Sequence, residues 1–193
     1  RKLCGSMKPR FIIIDGIDGA GGETQTKLLA NFLERKGIPF VKIESPKYTT
    51  EVGKAIKAFL DDKLELEPEA RFLLFATDVI MDKPVIKRAK KEGKFVIADR
   101  YITSTIAYQT ASGLDINKLV KVVELMEFPK ADLIVFIDIK PETSMRRKMK
   151  EMGSLDKHER DLEYLGKVRE AYLKEAKLNV LGLSLIHISE PTR

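Results

Sequence analysis

Residues 16 to 23 read Gly16-Ile17-Asp18-Gly19-Ala20-Gly21-Gly22-Glu23, between the apolar run Phe11–Ile14 and a segment of helical spacing. A glycine-rich turn between a buried strand and a helix converges backbone N–H groups where the helix dipole is positive, so this stretch can hold an anion, phosphate above all. The spacing follows the phosphate-loop frame G-x-x-x-x-G-K-[ST] as far as its second glycine and then departs from it. Gly22 stands where the lysine belongs, and Glu23 where the metal-binding hydroxyl belongs. The pattern predicts phosphate contacts along Gly16, Ile17, Asp18, Gly19, Ala20, Gly21, Gly22, Glu23 and Thr24. A tight strand-to-helix turn with no ligand is the competing reading of the glycines alone.

The departure has a magnitude. Losing a cation and gaining an anion changes the local charge by about two units. At ~4 Å and an effective dielectric near ~20, each unit is worth roughly 4 kcal/mol against a phosphate charge. Glu23 could answer this as a hard oxygen ligand for Mg²⁺, and Lys27 follows one turn later, though its Cα lies further from the loop. A second set of reactive types is Asp99-Arg100-Tyr101, directly after the apolar "KFVIA". Ligands of open α/β sheets bind at the C-terminal ends of strands, where a carboxylate can serve a metal and a planar guanidinium can clamp a phosphate. A surface turn is the plainer reading of those three residues.

These groups must be held by elements the pattern also specifies. Phe11–Asp15, Phe40–Ile43, Lys94–Ala98 and Leu133–Ile139 are short apolar runs, as expected of strands buried on both faces. Helical spacing is read over 24–36, around Val52 to Leu60, over one long region from Pro68 to Glu92, and over 103–111, 116–127, 141–150 and 160–177. Buried strands alternating with helices specify an α/β domain with a parallel sheet.

With 193 residues, 44% of them apolar, the chain is about one domain long. Its net charge of +6 suits either a phosphate-bearing substrate or a solvated Lys/Glu-rich surface and does not argue for nucleic acid. No apolar run reaches the roughly 20 residues of a membrane span, and the start lacks a signal-peptide core, so a cytoplasmic protein is expected. Residues 1–6, upstream of Met7 and holding the single Cys4, read as an extension outside the domain. The tail 183–193, "LSLIHISEPTR", resembles the translation of a sequencing-library adaptor and is left out of the fold. That leaves one domain over 7–182.

The stretches "DGIDGAG", "SPKYTTEVGKAI", "LLFATD", "DRYITSTIAYQ", "DIKPETSMRR" and "DKHERDLEYLGKVREAYLKEA" occur in the order and spacing of the thymidylate kinases, from about Pro9 to Leu178. The resemblance implies the fold of P-loop nucleoside monophosphate kinases, a parallel five-stranded sheet flanked by helices. Here the C-terminal strand would be truncated or replaced. It also implies transfer of the ATP γ-phosphoryl to dTMP with Mg²⁺, and a homodimer. By that resemblance Asp18 lies beside the acceptor phosphate and sugar 3′-hydroxyl, with Asp15 behind it, although a turn residue also fits Asp15. Asp18 and Asp99 would be the metal-side carboxylates and Arg100 the acceptor-phosphate clamp. Pro46, Lys47 and Tyr48 match the dTMP-phosphate segment. Phe75 matches the aromatic shelf under the thymine, where spacing alone would place a core residue. Ser104 and Gln109 match positions that hydrogen-bond the base, and Tyr108 matches the aromatic that disfavours ribonucleotides by bulk.

The basic stretch 146–160 resembles the family's lid, which brings arginines to the transferred phosphoryl. With no arginine at Ala20, catalytic charge would come from Arg146, Arg147, Lys150, Lys157 or Arg160, and the first two are nearest the family pattern. Val79 departs from the pattern, standing where the family places an arginine toward the thymine O4. Two other functions therefore stay open at this stage: a related deoxynucleoside monophosphate kinase, and a nucleotide-binding paralogue with little turnover.

Overall fold

The computed structural model describes residues 10–152, 161–178, 180 and 185–189. Five strands form one parallel sheet in the order β2-β3-β1-β4-β5. They are β1 (Phe11–Gly16), β2 (Phe40–Glu44), β3 (Phe95–Asp99), β4 (Leu133–Asp138) and β5 (Leu185–Ser189). The eight helices of the described residues are α1 (Gly22–Arg35), α2 (Glu51–Leu60), α3 (Pro68–Ile80), α4 (Lys83–Lys91), α5 (Ile102–Ala111), α6 (Ile116–Leu125), α7 (Pro141–Met152) and α8 (Leu162–Lys177). Among those residues no helix is long and apolar enough to cross a membrane.

β1 lies between β3 and β4, with Ile14 opposite both Asp99 and Val135. This register brings Asp15, Gly16 and Asp99 to one edge of the sheet, at the strands' C-terminal ends. Both faces are covered, as the continuous apolar runs require. Phe11, Ile13, Val96 and Ala98 pack with Phe72, Ile86, Ile102 and Ile106. Ile97 and Phe95 pack on Leu33 of α1, while Phe136 and Ile137 pack with Leu165 and Val168 of α8.

Two sequence expectations change. The single helical region over 68–92 is two helices, α3 and α4, broken at Met81–Asp82 with Pro84 in the first turn of the second. Proline is favoured in a first turn and disrupts a helix interior, so it starts α4 rather than continuing α3. Asp82 does not cap α4 with its side chain; the carboxylate is spent on Lys47 instead, 2.7 Å away. The fifth strand falls in the tail that sequence reading left out of the fold, for β5 pairs in parallel with β4 from Ile134↔Leu185 to Asp138↔Ser189.

Candidate active site

The loop between β1 and α1 is fixed by a few backbone features. Gly19 and Gly21 have φ of 73° and 97°, a region closed to most side chains, and Gly21 is the N-terminal cap of α1. Ala20 N donates to Ile17 O at 3.0 Å, which closes the turn. The N–H groups of the first helical turn then face a cleft of about 710 Å³.

That cleft gathers nearly all the residues singled out above: Asp15 through Thr24, then Pro46, Tyr48, Phe75, Asp99, Arg100, Ser104, Tyr108, Gln109 and Arg147. Arg146 does not line it and is exposed on α7. Its neighbour Arg147 takes the inward position, donating to Ala20 O at 3.4 Å. Adjacent residues on a helix point about 100° apart, so one of the pair must turn away. The remainder of the expected lid, 153–160 with Lys157 and Arg160, lies outside the described residues.

Within the cleft, Arg100 Nη2 donates to Asp18 Oδ1 at 2.5 Å, and the Tyr108 hydroxyl donates to Asp18 Oδ2. The guanidinium also lies 5.6 Å over the Tyr108 ring. Burial, and then the Asp18 charge, push the Tyr108 phenol well above its ordinary range, so it remains a donor at neutral pH. Asp18 therefore has both carboxylate oxygens engaged by Arg100 and Tyr108. The pairing orients the Arg100 guanidinium against the loop.

Asp15 is buried at the end of β1 and accepts from Thr103 Oγ1 at 2.6 Å, Ser104 Oγ at 2.5 Å, Tyr172 OH at 2.7 Å and its neighbour Gly16 N at 2.9 Å. Four donors on one carboxylate tie β1, α5 and α8 together. Ser104 thus turns its hydroxyl hydrogen inward, while its oxygen receives Arg100 Nη1 at 3.4 Å. Gln109, 1% exposed, lines the cleft with an Oε1 that lacks a hydrogen-bond partner among the described residues. An unsatisfied buried acceptor facing a cleft fits a ligand N–H.

Asp99 ends β3 beside the loop, its Oδ1 3.1 Å from where a Cβ on Gly22 would stand. Burial raises its pKa above the ordinary 3.8, opposed by Arg100 and Lys42. Glu23 and Lys27 form an exposed i,i+4 pair at 2.5 Å. Lys27 thus neutralises Glu23 and holds its carboxyl below the usual value, rather than reaching toward the loop.

A sequence model of thymidylate kinases matches residues 14–193. The chain belongs to the thymidylate kinase family. A Pyrococcus horikoshii protein named "Probable thymidylate kinase" is 39% identical over 178 residues, covering 89% of this chain and 85% of its own. A thymidylate kinase of Fervidobacterium nodosum is 36% identical, covering 88% and 86%. Among solved structures, the thymidylate kinase of Ehrlichia chaffeensis has a TM-score of 0.71 at 26% identity, with 97% of this chain and 92% of that one covered. A thymidylate kinase from Candida albicans shares the fold with a TM-score of 0.75 at 24% identity, covering 96% and 86%.

Two further residues of the cleft, Asp78 and Lys148, carry no role assigned from the sequence. Asp78, buried on α3, accepts from Lys47 N at 3.1 Å, and Lys47 Nζ reaches Asp82 at 2.7 Å, so two carboxylates fix the loop that carries Pro46 and Tyr48. Asp78 stood within "LLFATD" and Lys47 within "SPKYTT", but their pairing needs the fold. Lys148 also lines the cleft, one residue beyond the arginines chosen from the sequence. Val79 is 2% exposed and belongs to the core cluster, although it also touches the cleft.

Proposed function

We propose that this chain phosphorylates dTMP to dTDP at the expense of ATP, with the acceptor held by Arg100 and the donor held by the loop 16–24. The observation that carries the reading is that Arg100 and Tyr108 are held on Asp18 of the phosphate loop, all lining one cleft in a thymidylate kinase fold. Phosphoryl transfer between nucleotides asks little covalent chemistry of the protein. Catalysis is positioning plus stabilisation of charge. The nucleophile is a phosphate oxygen of dTMP, already anionic near neutral pH, so no side chain need remove a proton from it.

In this reading Arg100 turns part of its donor fork to the acceptor phosphate while Asp18 fixes its orientation. Gln109 Oε1 accepts from the base, and Phe75, which stands edge-on to Phe59 with centroids 6.4 Å apart, offers it a flat face. Tyr108, tied to Asp18, fills the space beside the sugar. Arg147, on the loop at Ala20, supplies positive charge to the transferred group.

The reaction implies Mg²⁺. Among the described residues no set of three or more His, Cys, Asp or Glu could hold a metal alone. Mg²⁺ bound with nucleotides commonly takes one or two carboxylates plus phosphate oxygens, and Asp99, at the end of β3 in the cleft wall, fits that role. Mg²⁺ held by Asp99 would supply positive charge against the phosphates.

Turnover of the purified chain with ATP and Mg²⁺ against a panel of deoxynucleoside monophosphates tests the reading. dTMP should give the highest kcat/KM. Preference for another base would return Val79 to the centre of the question.

A further inference from the structure

The family frame has a lysine at position 22, and this chain has none there. We infer that Lys148, projecting from α7 across the loop, supplies the missing positive charge to the polyphosphate of the bound nucleoside triphosphate. The inference rests on the nucleotide reading above and deepens it.

Its basis is the docking of α7. Ser144, Arg147 and Lys148 lie at i, i+3 and i+4, so they share one helix face. All three meet the loop. The buried Ser144 hydroxyl donates to Asp18 O, and Arg147 donates to Ala20 O at 3.4 Å. The Lys148 stem lies against Gly19: a Cβ built there would be 3.1 Å from Lys148 Cγ and 2.8 Å from Ser144 O. Glycine at 19 is therefore what lets the helix come this close, and Lys148 continues three bonds beyond Cγ along a cleft wall made by Gly19 to Glu23. Its charge is felt at Glu23, where it is the smallest of several influences after Lys27 and Lys42.

Among the described residues, the basic side chains lining the cleft are Arg100, Arg147 and Lys148. Arg100 is paired with Asp18 on the acceptor side, and Arg147 is anchored on Ala20 O. Lys27 pairs with Glu23, and Lys42 with Glu44 at 3.4 Å, both outside the lining. A lysine can serve the task as a compact point charge.

The test is a cycle of variants read by titration calorimetry with ATP, adenosine and dTMP at fixed Mg²⁺. Lys148→Met, which keeps the stem, should weaken ATP by about tenfold or more, the size expected for a charge-assisted contact. Adenosine and dTMP affinities should stay within about twofold of the parent. Lys148→Arg should keep most of the ATP affinity. Gly22→Lys should add little to the parent but restore ATP binding to Lys148→Met; its Cβ would need Asp99 Oδ1, 3.1 Å away, to shift by a few tenths of an ångström. Lys148→Gln gives the same comparison should the methionine variant fold poorly.

ATP affinity unchanged in Lys148→Met, equal losses for ATP and dTMP, or a Gly22→Lys gain that is the same in both backgrounds would overturn the inference. Turnover retained with ATP binding independent of Lys148 sinks the inference alone. Lys148-dependent ATP binding with no phosphoryl transfer sinks the kinase reading alone. A parent that does not bind ATP sinks both.

Discussion

Replacing Arg100 by alanine separates a phosphate clamp from a structural ion pair. The guanidinium is held by Asp18 Oδ1 at 2.5 Å and by Ser104 Oγ at 3.4 Å, and both members of the ion pair keep about a fifth of their side chains exposed, 22% and 23%. Two losses follow when a phosphate-bearing ligand binds the variant. The charge-assisted bonds to the phosphate disappear, at about 1.5–3 kcal/mol. Asp18 is also left uncompensated near the acceptor phosphate, which adds roughly 1 kcal/mol of repulsion once solvent screening at this exposure is allowed for. The sum of about 3 kcal/mol predicts dTMP binding weaker by roughly 150-fold. Thymidine, which has no phosphate, should lose less than about threefold, and Arg100→Ala with Asp18→Asn should recover about fivefold of the dTMP loss. Titration calorimetry with both ligands on all three proteins measures these terms. Equal weakening of dTMP and thymidine would refute the clamp and make Arg100 a tie between strand ends.

Three further outcomes are expected. Arg147→Met should lower kcat by about 100-fold or more while leaving dTMP affinity within about twofold, because the side chain sits on the loop away from the acceptor; retained kcat in stopped assays would exclude it from the transfer step. Gly53→Ala should destabilise by roughly 1–3 kcal/mol and raise the KM for dTMP, since the added Cβ would stand 1.8 Å from Lys47 O and push the Pro46–Tyr48 loop outward; an unchanged melting curve and KM would contradict that packing. Among the described residues neither oxygen of the buried Glu175 is hydrogen-bonded, and burial, then Asp15, push its carboxyl well above 4.5. The folded chain keeps a proton that the unfolded chain releases, so its stability is full below the unfolded value and falls by up to about 1.4 kcal/mol per pH unit up to the folded pKa. Glu175→Gln should therefore melt higher than the parent near about pH 8 and close to it near about pH 4; parallel pH profiles would refute this.

What could be read in the sequence follows from range. The apolar runs of β1, β3 and β4 and the glycine spacing of the loop are local patterns, and the elements lie within a residue or two of where periodicity puts them. The break between α3 and α4 was signalled by Pro84 but hidden by apolar residues continuing at helical spacing. Five strands were expected, but the place of β5 was not read, because it lies in the segment set aside for its likeness to an adaptor. Contacts made by topology were not legible at all. Tyr172 on Asp15, Lys47 between Asp78 and Asp82, and Lys148 over Gly19 each join residues far apart in the chain. Glu175 on a polar helix reads as solvent-facing until α8 is packed against α5. The charge deficit at the loop was also overstated, because Lys27 already offsets Glu23.

The central claim is that a loop without its lysine still serves phosphoryl transfer. Incubating the purified chain with γ-labelled ATP, Mg²⁺ and dTMP, and resolving the products, tests it most directly. Label appearing in dTDP, dependent on Arg147 and on Mg²⁺, is the predicted result. Nucleotides bound at the cleft with no label in dTDP over many hours would contradict it.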